Sequence, residues 1–62
     1  MALLTVDQAA EYLQISPWVM RKWLREKKVP AFKIGKEWRI EENDLKEFVR
    51  RAKRKYLPDG ER

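Results

Sequence analysis

Three residues after an apolar helical stripe ends, the chain places Ser16-Pro17. A serine oxygen accepts from the free amides at a helix start, and proline at the first helical position gives up an N–H that would have no partner. The pair therefore opens a second helix almost at once. The stripe before it is Val6, Ala9, Ala10 and Leu13, repeating at i, i+3, i+4, i+7 over about two turns. Thr5-Val6-Asp7-Gln8 precedes that stripe as a capping box, with Thr5 bonding the Gln8 amide and the Gln8 side chain reaching back. Two short helices joined across Gln14-Ile15 make a helix-turn-helix unit, whose second helix is the one such units present to a DNA major groove.

The second helix is expected over residues 17–28. At 100° per residue Met20, Trp23, Leu24 and Lys27 share its core face, while Trp18, Arg21, Lys22 and Arg25 share the other. The helix thus carries an apolar stripe and, opposite it, a cationic stripe headed by an indole. Charge along the chain points the same way. Residues 20–39 hold eight cations against Glu26 and Glu37, a net of +6, whereas residues 1–19 carry −2 and residues 40–62 carry +1. A polyanion lying along the second helix would meet this segment, and a solvated face is the plainer alternative.

Pro30 closes the helical region, and residues 31–40 read as an antiparallel hairpin, with a turn at Gly35-Lys36-Glu37. A three-residue loop pairs Ile34 with Trp38, Lys33 with Arg39 and Phe32 with Ile40. One face is then wholly apolar, and the other sets two like charges opposite each other, which a phosphate would relieve. A two-residue loop would shift this register. A third helix is expected from about Glu42 to Tyr56, with Leu45, Phe48, Val49, Ala52 and Tyr56 as its stripe. Acids at its start and the basic run Arg50–Lys55 at its end both suit the helix dipole, which is the favoured explanation of the run, with DNA contact there as the alternative. Residues 1–56 are read as one domain and residues 57–62 as a flexible tail.

Composition excludes other classes. With 62 residues there is little core and no room for a second domain or a deep catalytic pocket. Without His or Cys the usual metal ligands and nucleophile–base pairs are missing, so no enzyme, no metal and no cofactor are expected. The first residues lack a basic flank and meet an acid at Asp7, unlike a signal peptide, and no apolar run approaches a membrane span. A disulfide-free domain fits a reducing interior, so a cytoplasmic, nucleoid-associated location is expected.

Leu3 to Leu13, Ile15-Ser16, Val29 to Gly35, Trp38-Arg39-Ile40 and Asp44-Leu45 together resemble the excisionase-type helix-turn-helix domain, a small relative of the MerR-type winged helix-turn-helix. The match covers residues 3–49. The resemblance implies a mainly α fold with a small antiparallel hairpin, a winged helix-turn-helix. In it the helix at 17–28 enters the major groove, and the wing at 31–40 touches phosphates or the minor groove. Members bend DNA in mobile-element excision and recombination or act as small transcription regulators. The early positions of the second helix, here Pro17, Trp18, Val19, Arg21 and Lys22, face DNA in such domains, and the arginine after the wing aromatic, here Arg39, contacts the backbone. Val19 stands where the family often has a hydroxyl residue, and Arg21 follows the MerR-type preference rather than the excisionase-type aromatic.

The expected DNA-contacting set is Ser16, Pro17, Trp18, Val19, Arg21, Lys22, Arg25, Lys33, Lys36 and Arg39. Trp18 has two readings, stacking on the DNA or folding back over the core. Trp23 and Trp38 are read as core, and Lys36 as a wing-tip probe of the minor groove. The expected partner is double-stranded DNA, joined by cooperative self-association or by a recombinase or regulator, with no membrane and no small-molecule effector. A targeting or interaction module of a larger recombinase or regulator is the alternative. RNA binding ranks last, because the three-residue register turns Phe32 and Trp38 toward the core.

Overall fold

The computed structural model describes residues 2–56, so the tail read over residues 57–62 lies outside the described residues. In chain order these form β1 (Leu3–Leu4), α1 (Val6–Leu13), α2 (Pro17–Arg25), β2 (Phe32–Ile34), β3 (Glu37–Glu41) and α3 (Glu42–Tyr56). The capping box is complete: Gln8 N–H donates to Thr5 Oγ1 at 3.1 Å and Thr5 N–H donates to Gln8 Oε1 at 3.0 Å. Gln14 then ends α1 in the left-handed region at φ 59°. That reversal lets the Ile15 amide return to the Ala10 carbonyl at 2.9 Å, and the apolar Ile15 packs against the core.

Ser16 caps α2 as expected, its Oγ accepting from the Val19 amide at 3.2 Å with Pro17 in the first turn. The helix stops at Arg25 instead of 28, because Lys27 turns left-handed at φ 61°. The Lys27 amide donates to the Leu24 carbonyl at 3.1 Å and the Lys28 amide to the Trp23 carbonyl at 3.0 Å. This is the paired closure of a Schellman motif built without glycine. Lys27 is consequently exposed and lies outside the core face on which the 17–28 helix would place it.

The core is Ala9 and Ala10 of α1, Met20 and Leu24 of α2, Val29, Ile40 of β3 and Leu45 of α3. Two alanines on α1 let its backbone approach α2 closely, so the short stripe suffices. Trp23 and Phe48 add an aromatic contact between α2 and α3, with centroids 5.8 Å apart and rings tilted 49°. Such a pair contributes about 0.5–1.5 kcal/mol beyond its buried area.

The sheet has three antiparallel strands in the order β1-β3-β2. Leu3 pairs with Glu41 and Leu4 with Ile40, and the Glu42 amide extends the ladder to the Ala2 carbonyl at 2.9 Å. Strand β1 makes β3 the central strand, which is why Ile40 is fully buried. The hairpin register differs from the expected one. Phe32 pairs with Arg39, Lys33 with Trp38 and Ile34 with Glu37, leaving a two-residue loop, Gly35-Lys36. Gly35 sits at φ +65° in the first loop position, the residue order of a type II′ turn, whose twist matches the flanking strands. Among the described residues no helix is long and apolar enough to cross a membrane.

Candidate nucleic-acid interface

A one-residue register change turns the side chains of β2 to the other face while those of β3 keep theirs. Lys33 therefore does not face Arg39, and the expected pair of like charges is not formed. The Lys33 ammonium instead lies 5.0 Å from the centre of the Trp38 ring. Phe32 and Ile34 join Arg39 on the outer face, where they are exposed. Of the two hairpin aromatics only Trp38 packs on the core, so the wholly apolar face and the inward Phe32 are both corrected.

The same register places Arg39 usefully. Its Nη1 donates to the Trp38 carbonyl at 2.9 Å and meets the Glu37 carboxylate at 3.4 Å. The guanidinium is thereby anchored by one nitrogen, and its side chain keeps 29% exposure. Because guanidinium carries five N–H donors, others remain for an outside acceptor. Arg39, Lys36 at the hairpin tip and Arg21 of α2 line one concavity of about 240 Å³, with Asp7 and Glu37 also at its walls. Elements distant in the chain thus bring three of the expected cations to one place.

The rest of the α2 stripe is exposed. Trp18 is 65% exposed and takes no part in the core, which decides against its folding back. Pro17 and Trp18 follow the Ser16 cap on the open start of the helix. Val19 is half-buried and gives its amide to the cap. Lys22 pairs with Glu26 at 3.6 Å, one turn away, with both side chains well exposed. A pair of that kind contributes little and is readily exchanged for another anion. Arg21 and Arg25 have no acidic partner within 4 Å among the described residues.

A second basic hollow has Trp38 in common with the first, and the sequence reading did not assemble it. Arg25, Lys27, Lys28 and Arg51 line it, together with Val29, Pro30 and Trp38. Reading α2 through residue 28 puts Lys27 on the wrong face, and no glycine signals the turn at 27. Trp23 and Trp38 are half-buried and packed on the core, in line with the reading of both as core residues.

The comparisons agree with this architecture. Residues 3–53 match a family model described as a helix-turn-helix domain. No curated protein and no solved structure gives a significant match. Three helices with a small antiparallel sheet give that domain its winged form, and the family is one of DNA-binding domains. The chain belongs to the helix-turn-helix domain family.

Proposed function

We propose that the protein reads double-stranded DNA by sequence, with α2 in the major groove and the β2–β3 hairpin as a wing on the phosphate backbone or minor groove. The observation that carries this reading is the concavity shared by Arg21 of the helix with Lys36 and Arg39 of the wing. A helix and a wing converging on one basic hollow suit a duplex whose groove and adjoining strand are held together. Arg21 and Lys22 are the side chains positioned for guanine edges, each worth roughly 1–3 kcal/mol of discrimination. Ser16, Pro17, Trp18 and Val19 form the surface that meets the groove first, and Trp18 offers an exposed ring to sugars or thymine methyls. Arg25, Lys33, Lys36 and Arg39 hold phosphates, which positions the protein without specifying sequence. Lys33 does this from the Trp38 face of the wing and Arg39 from the other.

A domain this small buries little DNA surface alone, so function as a transcription regulator or excision factor calls for several copies on neighbouring sites or a bound partner. Binding to a labelled duplex measured across salt concentrations tests the electrostatic part. If the four cations assigned to phosphates, Arg25, Lys33, Lys36 and Arg39, make those contacts, log affinity falls with log salt at a slope of about −4 or steeper. A slope near −1 would contradict it.

A further inference from the structure

We infer that the hollow lined by Arg25, Lys27, Lys28 and Arg51 is a second contact for the DNA backbone, taking the strand past the end of α2. This rests on the DNA-binding reading above and extends its footprint to residues of the turn and of α3. The cations come from three separate segments, the end of α2, the turn after it and the middle of α3, and converge on one concavity of about 720 Å³. Among the described residues no carboxylate lines it. The nearest acid in the turn, Glu26, pairs with Lys28 at 3.4 Å and with Lys22 at 3.6 Å, and is itself exposed. Clustering four cations without an acid in the wall costs free energy through mutual repulsion, and a bound polyanion relieves it.

Position selects the polyanion. Trp38 lines both this hollow and the one holding Arg21, Lys36 and Arg39, and α2 contributes Arg25 to the one and Arg21 to the other. Arg21 and Arg25 sit one turn apart on α2, about 6 Å along its axis. A DNA strand carries a charge every ~3.4 Å of duplex axis, so a backbone leaving the first hollow passes the second within about two nucleotides. Lys27 is presented there by its left-handed backbone at φ 61°, which turns the chain out of the helix. Lys28 keeps its ammonium 6.0 Å from the Trp23 ring centre, holding its stem along the domain.

The test is the salt dependence of duplex binding by the whole chain and by Lys27→Asn/Arg51→Gln. Asparagine tolerates the left-handed region and glutamine the helix, so the fold is retained, as circular dichroism verifies. A control, Lys46→Gln/Lys53→Gln, removes the same charge from α3 positions outside the hollow. The inference expects the first variant to flatten the salt slope by about 2, with the preferred sequence unchanged, and the control to flatten it by less than half as much. Arg51→Lys should restore the part lost at that position. Equal flattening in both double variants, or none in the first, overturns the second contact while leaving the DNA-binding reading intact. A wild-type chain that binds no duplex overturns both.

Discussion

Gln14 and Lys27 end their helices at φ 59° and 61°, a region that costs a residue with a Cβ about 1–2 kcal/mol. Both positions close α-helices where glycine is the usual residue. Gln14→Gly is expected to stabilise the domain by about 0.5–1 kcal/mol after the glycine's own entropy is subtracted, read as a higher unfolding midpoint in urea. A lower midpoint would show that the Gln14 side chain contributes something its exposure does not suggest. The start of α1 is the converse case. Thr5→Ala removes the hydroxyl that accepts from the Gln8 amide and is expected to cost about 1 kcal/mol, or roughly 4–8 °C in melting temperature for a domain of this size. In the proposed DNA reading Arg21 carries the most weight for recognition. Its substitution by alanine should relax preference at one base position, whereas Lys36→Ala should weaken all sequences alike, and competition with single-base variants of the selected duplex distinguishes the two.

At the scale of elements the wing depends on its turn. Gly35 has a φ of +65°, and a methyl group in place of its hydrogen would meet nothing within 4 Å. Gly35→Ala therefore makes no clash, and its cost, about 1–2 kcal/mol, is backbone strain alone. Hydrogen exchange should then quicken in β2 and β3 while α1 and α2 keep their protection. Uniform quickening would mean that the hairpin and the helices open as one unit. The helices were legible because each has a start signal and a stripe: Thr5 with Gln8, Ser16 with Pro17, and the acids ahead of Leu45. Strand β1 was not, since two residues carry no period and its partner lies nearly forty positions away. The hairpin was legible as a hairpin but not in register, because Gly35-Lys36-Glu37 permits loops of either two or three residues and β-pairing with Trp38 decides between them. The candidate site was legible where it depended on one helix face, as for Arg21 and Lys22. It was illegible where three segments meet, as for Lys27, because the turn that exposes Lys27 uses a residue with no propensity for it, and the run Arg50–Lys55 gave no sign that Arg51 joins it.

At the scale of the whole molecule, seven buried side chains among the described residues hold the three helices and the sheet together. A core of this size supplies about 3–5 kcal/mol in total. Leu45 is fully buried beneath α3, and Leu45→Ala is expected to cost about 2–5 kcal/mol, enough to abolish a cooperative thermal transition above room temperature. Retained cooperativity would mean that α3 packs less tightly than its burial indicates. The same small core has to keep α2 and the wing in fixed relation, since Arg21 and Arg39 share a hollow only while Met20, Leu24 and Ile40 stay packed. Rigid presentation of two basic elements is what the proposed single-copy DNA footprint depends on. The most direct measurement is selection from a randomised duplex pool at about physiological salt, where nonspecific grip is weakened, carried out in parallel with the wild-type chain and Arg21→Ala. The account predicts a short enriched motif for the wild type and loss of preference at one of its positions for the variant. Retention of DNA with no enriched motif would contradict sequence reading by α2 and leave only an electrostatic grip.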